Sequence, residues 1–270
     1  MKRLCFVVLF TALVASASHP AAAQDIASTV TIREAGLMPV SPLDKVVSRS
    51  GHNSPPSFCK PCLWYAGDFN SNNSDANGAA NEKDLLIRAS AVYVPFTVPK
   101  GKIWNVTGVF GIVFDTDTVI DPKQADWSFS KGVSAGHAGK VIKSGTTPAT
   151  FTGFYHCGQE VQCWQVEVKG IKVTLKAGRY WLSVVPYCTN KNDSNCSSTR
   201  YFLMDVEDNP PLEHYGPKNV LDASYITSKQ HGLYFAPTWG GGGPCGGNGC
   251  DMFSAGLLGT AKVDNGAPDH

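Results

Sequence analysis

Charge is scarce in this chain of 270 residues: 17% are Asp, Glu, Lys or Arg, and they sum to a net charge of +1. Without a basic surplus there is no electrostatic case for nucleic acid or an anionic membrane surface, since both call for clustered positive charge. Long apolar runs are lacking too. After the first residues, no segment approaches the ~20 apolar residues of a membrane-spanning helix, so no membrane span is expected. Helical periodicity is equally rare. NVLDASYITSKQ is the one segment that reads as a helix, and the strand–helix–strand alternation of a parallel α/β fold is absent.

The chain opens MKRLCFVVLFTALVASASHPAAAQ. Lys2 and Arg3 make a basic start, Leu4 to Ala15 an apolar run, and Ala21 to Ala23 a small-residue cleavage site. This pattern predicts a secretory signal over 1–23. Its apolar run is too short to span a bilayer, and Cys5 within it has no lipobox around it. The expected location is secreted or periplasmic. Residues 24–58 form an N-terminal segment with a strand-like STVTIREA and a Pro/Ser/Gly linker, MPVSPLDKVVSRSGHNSPPS. A single domain is expected over 59–263, followed by a polar tail at 264–270. The length suits one sizeable core.

Cysteine is plentiful. Besides Cys5 there are eight, in four close couples: Cys59 and Cys62, Cys157 and Cys163, Cys188 and Cys196, Cys245 and Cys250. An even number in an exported chain predicts disulfides, and the spacing favours pairing within each couple. Bridges closing such short loops contribute about 2–3 kcal/mol each in the chain-entropy model. The 59/62 couple is the most strained, and its alternative is a long-range link to Cys245 or Cys250. Zinc on Cys59, Cys62, Cys245 and Cys250 satisfies the ligand count, but an oxidising compartment argues against it.

Short segments of alternating polarity fill the domain. In VQCWQVEV, Trp164, Val166 and Val168 share one face, Gln165 and Glu167 the other. In IKVTLKAGRYWLSVVPY, Ile171, Val173 and Leu175 alternate with Lys172 and Thr174, and KAG reads as a turn into a second strand. ASAVYVPFTV, KIWNVTGVFGIVF, DWSFS, GKVIKSG, RYFLMDV and GLYFAPTW follow the same pattern. Period-two segments with frequent turn signals predict an all-β, disulfide-bridged antiparallel β-sandwich of jelly-roll or immunoglobulin-like type. LWYAGDFNSNNSDANGAANE, AVYVPFTVPKGKIWNVTGVFG, ADWSFSKGVSAGHAGKVIKSG and VKGIKVTLKAGRYWLSVVP, in that order, resemble a family of exported bacterial β-sandwich proteins. The similarity covers roughly residues 62–260. Some relatives carry C-terminal sorting tails, unlike the closing KVDNGAPDH. The resemblance implies a fold and export, and no activity.

Several motifs suggest chemistry. GVSAG, Gly132 to Gly136, fits G-x-S-x-G, but a nucleophile elbow needs a helix after Ser134, and GHAGKVIKSG reads as a turn and a strand. FCKPCLWYAG looks like a thioredoxin-type C-x-P-C, yet the Gly/Asn-rich sequel cannot supply the helix N-terminus that activates the thiol. Asp68, Asn70, Asn72 and Asp75 cluster oxygen ligands suited to Ca²⁺, although Asn and Asp also form ordinary turns. Paired carboxylates for a glycosidase are offered by Asp205, Glu207, Asp208 and Glu213, with His214, while Asp126 and Glu167 lie elsewhere; sequence does not tell which of them meet in space, and solvated loop and edge charges are the default reading. Trp64, Tyr65 and Trp239 border polar or glycine-rich loops, where flat aromatics can stack on sugars. The alternative is packing over a disulfide. Finally, TWGGGGPCGGNGC contains a G-x-G-x-x-G spacing at Gly241, Gly243 and Gly246, but Pro244 and Cys245 prevent the helix a dinucleotide site needs. It reads as a glycine lead into a disulfide-closed tip. The leading expectation is a non-catalytic binding or structural module with an extracellular glycan or cell-surface partner. The alternative is a secreted glycosidase.

Overall fold

The computed structural model describes residues 56–67, 78–84, 89–115, 123–154, 163–189, 201–206, 215–217, 223–238 and 252–265. Among these residues there is no helix. The strands are β1 (Cys62–Tyr65), β2 (Gly78–Ala80), β3 (Glu82–Lys83), β4 (Ala89–Asp115), β5 (Gln124–Lys131), β6 (Lys140–Phe154), β7 (Cys163–Tyr187), β8 (Tyr201–Val206), β9 (Tyr225–Ser228), β10 (Leu233–Pro237), β11 (Met252–Phe253) and β12 (Ala255–Val263). They pair in the order β1-β12-β4-β3-β7-β5-β6. β9 and β8 also pair with β4, β10 pairs with β9, and β2 and β11 pair with β8. The pairing is antiparallel apart from the Lys83–Tyr187 contact of β3 with β7.

β4 and β7 form the spine, at 27 and 25 residues. They stay paired from Val94 opposite Leu182 to Phe114 opposite Cys163. Around Pro99–Gly101 the ladder slips and both strands bend together, with Val98 facing Gly178. Gly101 has φ +71° and Gly178 φ +146°, backbone that residues with a Cβ rarely adopt. The sheet thereby folds into two facing layers, an all-β sandwich built from one sheet. The sequence predicts a turn at KAG and two separate strands in ASAVYVPFTV and KIWNVTGVFGIVF. The structure instead has two unbroken strands that turn a corner side by side.

The first layer holds the start of β4, the end of β7, β5, the start of β6, β9 and β10. The second holds the end of β4, the start of β7, β12, β1, β8 and β2. Between them lies the main core, with Val94, Phe96, Phe129 and Leu182 from the first layer, and Trp64, Trp104, Val166 and Leu175 from the second. A smaller core covers the opposite face of the second layer: Tyr65, Phe110, Ile112, Phe114 and Leu258, with Cys59. Partners across a ladder share a face, and Phe110 and Ile112 face Glu167 and Gln165. The expected polar face of β7 is therefore buried at both residues.

β9 corrects a second expectation. Tyr225–Ser228, read from sequence as helical, is a strand paired with Ser90–Tyr93. Farther along, β4 and β7 part beyond Val94 and Leu182, and the fully buried Asn81 fills the gap. Its Nδ2 donates to the Val184 carbonyl at 2.7 Å, and its Oδ1 accepts from the Val92 N–H at 3.1 Å. One side chain thus supplies the ladder partners that the next rung would have provided.

Candidate functional site

The outward face of the first layer carries a pocket of about 320 Å³. Alternation along the strands builds it: Ala91 and Tyr93 from β4, Asp126 and Ser128 from β5, Ser183 and Val185 from β7. Cross-strand pairing aligns them in rows. Asp126 faces Val185 on one side and Thr146 on the other, while Ser128 lies between Ser183 and Ser144. Thr227 adds a hydroxyl from β9, opposite Ala91.

One end of the pocket is charged. Lys83 forms an ion pair with Asp126, and Thr146 Oγ1 donates to the other Asp126 oxygen at 2.6 Å. The Lys83 ammonium also lies 4.2 Å from the centre of the Tyr187 ring, a cation–π contact. Both carboxylate oxygens thus have a partner, which orients the group and neutralises it locally. The middle is a set of serine hydroxyls. Ser183 Oγ is buried without a hydrogen-bond partner. Next to it, Trp127 Nε1 donates to Thr147 Oγ1 at 2.8 Å. Its indole rests over Gly145, where an added Cβ would lie 2.9 Å from the ring.

The other end is aromatic. Burial pushes the Tyr93 hydroxyl above the ordinary tyrosine value; a hydrogen bond with the Thr227 side chain opposes the shift, and Tyr234 adds to it. The Tyr93 ring packs against Phe235 at 4.9 Å, and Phe235 against Tyr234 at 5.1 Å, edge-on. A bulge between Leu233 and Ala236 sets Tyr234 and Phe235 against Thr227. Phe235 has φ +47°, a left-handed conformation costing a side-chain-bearing residue about 1–2 kcal/mol. Burial beside Val133 and Trp181 offsets that cost. Tyr234 is left 62% exposed.

The residues predicted from sequence fall elsewhere. Trp64 and Tyr65 are not exposed platforms. They are 2% and 0% exposed, because β1 is covered on both faces. Trp64 packs on Phe96 at 5.5 Å in the main core, and Tyr65 on Phe58 and Phe110 in the smaller one. Neither can stack on a ligand. Trp239 and the proposed calcium ligands Asp68, Asn70, Asn72 and Asp75 lie outside the described residues. No group of three or more His, Cys, Asp or Glu is placed to hold a metal among the described residues. Cys59 and Cys62 are bonded to each other and followed by a strand. That excludes both a thioredoxin-like helix and their use as zinc thiolates. Cys163 and Cys188 each take part in a disulfide as well; Cys157, Cys196, Cys245 and Cys250 lie outside the described residues. Ser134 and His137 close a tight two-residue turn through paired backbone hydrogen bonds, so GVSAG is a hairpin and not a nucleophile elbow.

Of the carboxylate candidates, Asp126 lines the pocket, and Glu167 is buried on the second layer beside Lys169 at 2.9 Å. The structure does not bring these two together. Glu207, Asp208, Glu213 and His214 lie outside the described residues, and Asp205 is described only through its β8 backbone. Sequence reasoning missed Lys83, Tyr93, Ser128, Thr146 and Tyr234. The available signal was small hydroxyl residues at alternate strand positions, as in ADWSFS and KSGTT. No protein-family model matches the chain, and no curated protein matches it, so its functional reading rests on the chemistry of this pocket.

Proposed function

We propose that the protein is an exported, non-catalytic glycan-binding β-sandwich module and that the pocket on its first layer is the binding site. One observation carries the reading: serine and threonine hydroxyls line a concave sheet face between an ion-paired carboxylate and a tyrosine. Hydroxyls both donate and accept, so this lining suits a ligand rich in hydroxyls. The volume is at the lower end of the ~300–1,000 Å³ typical of small-ligand pockets, which fits one sugar unit of a longer chain. The export expected from the N-terminal signal pattern would place such a module where it meets glycans.

A glycosidase would need a second carboxylate facing the first, about 5–9.5 Å away. Among the described residues lining the pocket, Asp126 is the single carboxylate, and its oxygens are engaged by Lys83 and Thr146. The test is a display of immobilised neutral glycans, followed by analysis of any ligand for new reducing ends. Retention without cleavage is expected, and it should be lost when Ser128→Arg fills the pocket. Release of reducing ends that stops in Asp126→Ala would replace this reading with the hydrolase.

A further inference from the structure

We infer that Tyr234 is the aromatic platform of this site, stacking against the apolar C–H face of a neutral pyranose held at the pocket mouth; this rests on the glycan-binding reading above. Tyr234 is the exposed member of a continuous aromatic run, Tyr93–Phe235–Tyr234, whose first ring lines the pocket. The β10 bulge sets Tyr234 and Phe235 opposite Thr227, which also lines the pocket. In a regular strand, successive side chains point to opposite faces. A bulge lets two neighbours oppose one partner residue and re-aims their side chains. Phe235 takes the left-handed backbone and sinks into the cluster with Trp181, while Tyr234 stays 62% exposed. Its apolar ring and polar tip are the composition that sugar faces select, with one side apolar and the edge hydroxylated.

The ligand's neutrality follows from the lining. Lys83 and Asp126 are its charged residues among those described, and they pair with each other. A charged sugar would enter without a free counter-charge and would lose hydration in doing so.

The test is calorimetric titration of the full chain with cellopentaose, maltopentaose, mannopentaose and xylopentaose, and with an oligogalacturonide of equal length as the charged counterpart. At least one neutral sugar should bind. Tyr234→Ala should weaken it about tenfold or more, and Tyr234→Phe, which keeps the ring, should stay within about twofold. The exposed position predicts an unchanged melting temperature; if Tyr234→Ala lowers it, Tyr234→Leu, which keeps apolar bulk without a π face, takes its place and should show the same loss. Equal affinity of native protein and Tyr234→Ala would overturn the platform and leave the glycan reading standing. Equal loss in Tyr234→Phe would replace stacking with a hydroxyl contact. Tighter binding of the oligogalacturonide would overturn neutrality. No binding of any of the five sugars would overturn the glycan reading and this inference with it.

Discussion

Phe96 and Trp104 lie on one strand, yet their rings stack with planes 3° apart and centroids at 6.1 Å. At about 3.3 Å per residue a straight strand would separate these positions by roughly 26 Å. The contact therefore measures the corner in β4, and Phe96 also stacks on Tyr180 from the other corner strand at 5.5 Å. Trp104→Ala should cost about 3–5 kcal/mol by urea unfolding. Combined with Tyr180→Leu it should be non-additive, since both rings abut Phe96. Strict additivity would mean that the two corners are packed independently.

Asn81 predicts a second large effect at a polar residue. Asn81→Ala leaves the Val92 N–H and the Val184 carbonyl without their buried partner. Unsatisfied buried groups cost about 1–3 kcal/mol each, so about 2–6 kcal/mol should be lost in total. Hydrogen exchange at the Val92 amide should accelerate selectively. A change under about 1 kcal/mol would show that water replaces the side chain.

The corners and Asn81 mark how far the sequence could be read. Period-two alternation made β5, β7 and the end of β4 legible, because pleating is a local property. Whether Pro99–Gly101 ends a strand or bends it is not local. Gly and Pro serve a hairpin turn and a corner alike, and the choice depends on β7 bending alongside. The loop residues that follow Trp64 and Tyr65 in the chain say little about their burial. The unbroken apolar run LWYA is the pattern of a strand buried on both faces, and that signal outranked the polar loop beyond it. The pocket was illegible because its residues alternate along separate strands that only the sheet order brings together. Tyr234 owes its exposure to a bulge that nothing in GLYFAPTW announces.

Tyr93 predicts a pH dependence. Its hydroxyl titrates above the ordinary value of 10.0, chiefly through burial, so the unfolded chain loses this proton first. The stabilising contribution is complete below about pH 10 and is lost as pH rises through the folded value. Tyr93→Phe should flatten that part of the alkaline stability curve. Parallel curves for the two proteins from pH 9 to 11.5 would show that Tyr93 ionises freely in the fold.

The Cys59–Cys62 bridge lies over Leu258 and Phe110 in the smaller core. Its short loop should contribute about 2 kcal/mol by restricting the unfolded chain. The double variant Cys59→Ala, Cys62→Ala should lose about that much stability and keep its β-rich circular dichroism spectrum. Loss of folded structure altogether would make the bridge a requirement for the fold.

A glycan-binding site on the outward face of the first layer should be visible residue by residue. The most direct test is amide chemical-shift mapping of the labelled protein during titration with the neutral oligosaccharides named above. Saturable shifts are expected to be confined to residues 83, 89–93, 126–128, 144–146, 183–185 and 227–235, the segments that build the pocket and the Tyr234 bulge. Saturable shifts clustered on the second layer, around Lys172, Lys176 and Lys262, or no shifts at millimolar sugar, would contradict this site.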